Sequence, residues 1–119
     1  MTDYSKMSDF EINKGVAERL GYSVQENRHL KDVVEIWRFE EHMEDAGDKY
    51  HGIRNYCNNP ADAWPIIVAN EIGVVPSKSS NTYAWDLSGG ILKGIKHVDD
   101  NPLRAAMIVF LMMKDAEKC

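Results

Sequence analysis

The residues best equipped for recognition chemistry lie close together, between positions 50 and 64. This stretch supplies aromatic stacking surfaces, one fixed cation and several amides. Such a mixture suits a planar or anionic small molecule, or a hot spot for a protein partner. The residues that we assign to this candidate binding site are Tyr50, His51, Arg54, Tyr56, Asn58 and Trp64. A second interpretation stays open, in which the asparagines only cap a helix and the tryptophan only packs in the core.

Catalytic chemistry has little support in the sequence. The phosphate-binding, dinucleotide-binding, HExxH, paired CxxC and GxSxG motifs are all absent, and each of them marks a specific mechanism. The four histidines lack the spacing of metal ligands, and we expect each of them to be exposed. Cys57 could be a nucleophile activated by His51, but we expect an inert thiol, because buried thiols pack as small hydrophobic groups. The sequence predicts no catalytic residues, no metal and no cofactor, and favours a protein that is not an enzyme.

The charge balance disfavours nucleic acid as a partner. The chain has 19 acidic and 14 basic residues, for a net charge of −5. Nucleic-acid binding needs clustered Lys and Arg to displace counterions, and no basic run occurs. Residues 40–49 are strongly acidic and could bind a cation or a basic partner. They lack the residue spacing of a calcium loop, so we interpret them as a solvated connection.

The length of 119 residues is that of one domain with a core of its own, so we assign residues 1–119 to a single domain. The N-terminus is polar and acidic, unlike the basic and then apolar pattern of a signal peptide. The longest apolar run, residues 105–113, is shorter than the ~20 residues that span a bilayer. One of the two cysteines, Cys119, ends the chain and is a poor half of a structural disulfide. These features predict a cytoplasmic protein with no membrane segment.

A capping box marks the start of the first helix. Ser8 and Glu11 have its spacing, apolar residues follow at helical intervals, and Gly21 is placed to end the helix in a left-handed conformation. Alternation and β-forming residues then predict strands. The predicted strands cover residues 30–39, 50–56, 82–87 and 91–98, with a turn at Gly89-Gly90.

Two Asn-Pro pairs mark the starts of two further helices. Asparagine is a favoured N-cap and proline suits the first turn, so Asn59-Pro60 and Asn101-Pro102 each predict a helix. Pro65 lies inside the first of the apolar runs that follow. Its ring should clash with the carbonyl four residues earlier. We therefore predict that residues 60–64 form a separate corner and that the helix proper covers residues 65–71.

The environment of Trp64 distinguishes two interpretations of this corner. A buried tryptophan would pack in the core, whereas an exposed one would belong to a recognition surface. We expect partial burial, with the indole edge lining a shallow groove beside Arg54 and Asn58.

The last helix, residues 102–117, is the most apolar element. Between residues 103 and 113 every residue except Arg104 is hydrophobic or alanine, and such a helix is buried on most sides. It could form the centre of the core, or share one face with a second subunit in a homodimer. We predict a single α+β domain: a small, mostly antiparallel sheet, an N-terminal helix, a short middle helix and a buried C-terminal helix.

Three blocks carry a family resemblance. They read SDFEINKGVAERLG, YCNNPADAWPII and NPLRAAMIVFLMM, with Trp85 between the second and the third. In this order and spacing the chain resembles the NinX-like family of small proteins from lambdoid phages and prophages. Many relatives carry glycines just before Pro-Ile-Ile, where this chain has Ala63 and Trp64. The resemblance implies a phage accessory protein in the bacterial cytoplasm, and it implies no activity and no catalytic residues.

Three functional hypotheses follow. The favoured one is a non-enzymatic protein that binds a host or phage protein. The second is a small-ligand-binding protein that uses the cluster between Tyr50 and Trp64. The third, an enzyme or a nucleic-acid-binding protein, has the least support.

Overall fold

The computed structural model describes residues 3–41, 46–75, 82–86 and 95–117. Within these residues the chain forms three α-helices and six strands. The helices are α1 (Asp9–Arg19), α2 (Pro60–Ala69) and α3 (Pro102–Glu117), and a short 3-10 turn at Tyr4–Lys6 precedes them. The strands are β1 (Ser23–Glu26), β2 (Val34–Glu40), β3 (Gly47–Arg54), β4 (Ile72–Val75), β5 (Thr82–Asp86) and β6 (Lys96–Asp99). The predicted α+β class is confirmed.

The strands form two antiparallel sheets rather than the one sheet that we predicted. The strand orders are β1-β2-β3 and β4-β5-β6. The sequence did not predict β1 or β4, because each has only four residues and neither shows a clear alternation. Gly73, which follows the predicted middle helix, pairs with Trp85 inside β4. The turn at Gly89-Gly90 lies outside the described residues.

The start of α1 confirms the predicted capping box. The Ser8 hydroxyl accepts a hydrogen bond from the Glu11 backbone N–H at 3.1 Å. The Glu11 carboxylate in turn accepts from the Ser8 N–H at 3.5 Å. The helix ends where predicted, because Gly21 takes a φ of +95° that costs glycine little.

The centre of the core is α3. This helix contacts α1, α2 and all three strands of the second sheet, so it is surrounded on most sides. Its buried residues are Ala105, Ala106, Met107, Ile108, Val109, Phe110, Leu111 and Met113. The predicted burial of the last helix is confirmed.

The prediction of a separate corner at residues 60–64 is wrong. Helix α2 is continuous across Pro65, after Asn59 caps it by accepting a hydrogen bond from the Ala61 N–H at 3.0 Å. A proline inside a helix costs about 3 kcal/mol. Burial of Ile66 and Ile67 stabilises the helix by about 1.5–3 kcal/mol for each side chain. Tertiary packing therefore outweighs the local penalty.

The acidic connection is shorter than predicted, because β3 already begins at Gly47, paired with Glu40.

A β-bulge interrupts the pairing of β2 with β3. Ile36 pairs with Gly52 but Trp37 pairs with Tyr50, which leaves His51 as the extra residue. Gly52 accommodates the bulge with a φ of +104°. A bulge of one residue reverses which face the following side chains occupy, so Tyr50 shares a face with Trp37.

Replacing Ala106 by Asp should abolish folding, because an unpaired charge would be buried at the centre of the core. The matched control is Ala116→Asp, on an exposed position of the same helix, which should change stability by less than about 1 kcal/mol. Urea unfolding followed by circular dichroism measures both. Equal stability of the two variants would contradict the central position of α3.

Candidate functional site

The six predicted site residues do not converge on one pocket. Tyr50 is half exposed and stacks at an angle on Trp37, with ring centroids 5.1 Å apart. His51 turns the other way, and its Nε2 lies 2.7 Å from the Glu40 carboxylate. The Tyr22 ring lies 5.8 Å from the His51 ring, measured between centroids. His51 is thus engaged by the Glu40 carboxylate of the neighbouring strand and by the Tyr22 ring, which lies just before β1.

Arg54 and Tyr56 both make contacts within the protein. The Arg54 guanidinium lies 4.0 Å from the Asp62 carboxylate, which also accepts a hydrogen bond from the Asn55 N–H at 2.9 Å. This arrangement ties the end of β3 to the first turn of α2. Tyr56 is buried, and that burial raises the pKa of its hydroxyl to about 12. The Tyr56 ring is therefore part of the core, and its hydroxyl stays protonated at neutral pH.

Cys57 is buried, and its thiol stays protonated at neutral pH. Burial, with a smaller contribution from the Asp9 carboxylate, raises the pKa of its thiol to about 12. The thiolate is the nucleophilic form, so nucleophilic catalysis by Cys57 is disfavoured. The predicted exposure of the histidines is only partly right. His29 is exposed, whereas His51 and His97 are partly buried, and His42 lies outside the described residues.

Asn58 belongs to a polar network that joins distant parts of the chain. Its amide nitrogen donates to the Asp9 carboxylate at 3.0 Å and to the Asn55 side-chain oxygen at 3.1 Å. Its amide oxygen accepts from the Asn101 side chain at 2.9 Å. Asn13, which is fully buried, donates to the Asn55 side-chain oxygen at 3.0 Å and accepts from the Cys57 N–H at 3.0 Å. The side chain of Asn58 is therefore occupied within the protein.

Arg104 is the hub of this polar network. Its guanidinium lies 2.7 Å from the Asp9 carboxylate and 3.1 Å from that of Asp99. It also donates to the backbone carbonyl of Met7 at 2.6 Å. Burial lowers the pKa of Arg104, but the hydrogen bond to Asp9 and the charge of Asp99 outweigh that effect and leave the pKa raised. The network consists of Asp9, Asn13, Asn55, Asn58, Asp99, Asn101 and Arg104.

Most of this network was not predicted from the sequence. One signal was available, because Arg104 is the single charged residue in the apolar run from 103 to 113, and a charge within a buried helix needs a partner. The sequence does not show which residues pair with Arg104. Asp9 and Asp99 are far apart in the sequence and come together only in the folded protein.

The outer side of α2 is an unusual surface for a helix. Trp64 is 62% exposed and Val68 is 57% exposed, so Trp64 is more exposed than predicted. The one charged residue of α2, Asp62, is turned toward Arg54 and Asn55. The exposed residues, which we call the α2 surface, are all apolar: Pro60, Ala61, Trp64, Pro65, Val68 and Ala69. On α1 the exposed residues are instead charged: Glu11, Lys14 and Glu18.

Neither a membrane-spanning helix nor a metal-ligand cluster occurs in the part of the chain that the structure describes. No helix there is both long enough and apolar enough to cross a bilayer. No cluster of three or more His, Cys, Asp or Glu side chains there could hold a metal ion.

The fold and the polar network define a small α+β protein in which three separate sequence blocks meet. Most of the network comes from these blocks, which cover residues 8–21, 56–67 and 101–113. The family model described as Bacteriophage P22, NinX matches residues 3–114. The chain belongs to this NinX family of phage proteins, which confirms the resemblance. No curated protein and no solved structure matches the chain.

Replacing Arg104 by Met should lower the free energy of unfolding by about 3 kcal/mol, the lower end of the range for breaking a buried ion pair. The loss arises because Asp9 and Asp99 would keep their charge without a cation beside it. Arg28→Met is the matched control, at an exposed position. Chemical denaturation measures both, and equal stability of the two variants would show that the network does not hold the fold together.

Stability should decline between pH 9 and pH 12. The Cys57 thiol ionises near its ordinary pKa of 9.0 in the unfolded chain but at about 12 in the folded protein. Over that interval the unfolded state binds fewer protons than the folded state, so the free energy of unfolding falls as pH rises. Cys57→Ala and Tyr56→Phe should each make the decline shallower in urea titrations at fixed pH. If stability fell equally steeply with pH in the wild type and in both variants, the decline could not be assigned to Cys57 and Tyr56.

Proposed function

We propose that this phage accessory protein is not an enzyme and acts by binding a phage or host protein through the α2 surface. The observation that carries the proposal is the complete absence of polar side chains from the exposed residues of α2, within the described part of the chain. Solvent-facing helix residues are ordinarily charged or polar. An exposed apolar surface centred on a tryptophan is typical of a site for a partner.

The energetics fit a hot spot at the centre of a larger interface. Trp64 and Val68 are one helical turn apart and more than half exposed. Covering the exposed part of both side chains would stabilise a complex by about 2 to 3 kcal/mol. Micromolar affinity needs about 8 kcal/mol, so contacts around the α2 surface must contribute as well. Pro65 fixes the backbone between the two side chains, which reduces the entropy lost on binding.

A small-ligand site between Tyr50 and Trp64 is less well supported. Tyr56 is buried and Asn58 uses its amide in the polar network. Arg54 is directed toward Asp62. Few of the groups that would have to converge on a ligand are free to do so.

A homodimer through α3 would require an apolar face on that helix that the rest of the chain leaves uncovered. Its apolar residues are instead largely buried within the protein. The α2 surface is the better-supported site for a protein partner, including a second copy of this chain.

Replacing Trp64 by Ala should remove binding while leaving the fold intact. We expect a stability change below about 1 kcal/mol, because the side chain is largely exposed, and an affinity loss of at least about tenfold, as for a hot-spot residue. Tagged wild-type protein, Trp64→Ala and the control Leu30→Ala, an equally apolar exposed position, would be used to capture partners from infected bacteria.

The informative result is a stoichiometric partner that the wild type and Leu30→Ala retain and Trp64→Ala loses. Capture of the same proteins by all three would refute the role of the α2 surface. A variant that keeps only Trp64, with Trp37 and Trp85 changed to Phe, gives a second measurement. Its fluorescence should be red-shifted in the free protein and should shift to the blue when the partner is added.

A further inference from the structure

The first sheet has a second exposed apolar surface, on the face turned away from α1. Val34 and Ile36 are buried and define the inner face, against which α1 packs. On the opposite side, Phe39 is 63% exposed and Tyr50 is 51% exposed. Strand register assigns eight residues to this outer sheet face: Ser23, Gln25, Glu35, Trp37, Phe39, Asp48, Tyr50 and Ile53.

The bulge at His51 builds the aromatic part of this face. Without it, strict alternation along β3 would place His51 outward and Tyr50 inward. The extra residue reverses the alternation, so Tyr50 stacks on Trp37 with 5.1 Å between ring centroids. His51 instead meets Glu40 on the inner side. Phe39 lies two residues beyond Trp37 and therefore on the same face, so three aromatic rings line one surface.

The charges of the same strands are segregated between the two faces. Arg38, Lys49 and Arg54 all occupy inner register positions, and the Arg38 guanidinium lies 4.1 Å from the centroid of the Tyr22 ring on that side. On the outer sheet face the only charged residues are acidic. Asp48 pairs in register with Phe39, and Glu35 pairs with Ile53. Among the paired residues of these strands, the aromatic rings are thus accompanied by carboxylates and by no cation.

We propose that the outer sheet face binds a basic, extended segment of a partner protein, whose Arg or Lys side chains lie over the aromatic rings. A cation is attracted to the face of an aromatic ring, and Asp48 and Glu35 supply the complementary charge. The net charge of −5 adds long-range attraction for such a segment. This site is separate from the α2 surface and does not depend on the function proposed for it.

Two other occupants fit the charges less well. A nucleic acid could stack its bases on the rings, but the phosphates would face Asp48 and Glu35 without a basic side chain at any outer position. A second copy of this face would bring the same carboxylates together. Either occupant would place negative charge against the carboxylates of this face, whereas a basic segment would neutralise those carboxylates.

The test uses a fluorescently labelled peptide of sequence GRGRGRG and a matched peptide in which citrulline replaces each arginine. Citrulline keeps the shape of arginine and lacks its charge. Fluorescence anisotropy at low salt should show binding of the arginine peptide only. Phe39→Ala and Tyr50→Ala should each weaken it about fivefold or more, and Phe39→Leu should weaken it as well because it lacks a ring. Trp64→Ala should bind normally, which separates this site from the α2 surface.

A charge-matched pair of variants distinguishes binding at the outer sheet face from general attraction between the acidic protein and the basic peptide. Asp48→Asn and Asp100→Asn each remove one negative charge from an exposed position, but only Asp48 lies on the outer sheet face. The peptide should bind Asp48→Asn about threefold or more weakly and Asp100→Asn almost normally. Equal losses in the two variants, unchanged affinity of Phe39→Leu, or no arginine-dependent binding would overturn the proposal.

Two further measurements address the other occupants. Titration with a single-stranded dT oligonucleotide would overturn the proposal if the wild type bound it and Phe39→Ala did not. Sedimentation velocity would overturn it in favour of a second copy if the wild type formed a dimer that Phe39→Ala abolished.

Discussion

The ion pairs of Arg104 are the constraint on which the rest of the fold depends. Its guanidinium lies at the start of the central helix and holds Asp9 of α1 and Asp99 at the end of β6, together with backbone carbonyls of the N-terminal turn. A single side chain thus holds the N-terminal turn, α1 and the end of β6 against the start of α3. Because a partly buried charge is unfavourable unless it is paired, any arrangement that separated these segments would leave Arg104 or its carboxylates unpaired.

This constraint explains why the asparagine-rich stretch around Cys57 has a structural role. The asparagines near Cys57 satisfy one another, the backbone and Asp9, and buried polar groups that keep their hydrogen bonds specify one arrangement of the core. The three sequence blocks that carry the family resemblance supply most of these contacts. In this chain those blocks therefore contain the residues that hold the protein together.

The two surfaces that we propose for recognition lie where the core places no demand on the side chains. The α2 surface is apolar although it faces solvent, and its inner side already satisfies packing through Ile66 and Ile67. The outer sheet face carries aromatic rings and carboxylates, and its inner side carries the basic residues. The two surfaces differ in chemistry, the first being uncharged and the second acidic, which suits two different contacts on one or more partners.

The sequence alone determined the elements whose signals are local. The capping box at Ser8, the end of α1 at Gly21 and the apolar run of α3 rest on contacts within a few residues or on composition, so they were predicted correctly. The continuity of α2 through Pro65 was decided by burial of isoleucines against the rest of the chain, which outweighs a local penalty. The partners of Arg104 and the outward position of Tyr50 likewise needed the tertiary structure. An ion pair between residues 95 positions apart and a bulge set by cross-strand register leave no periodic trace in the sequence.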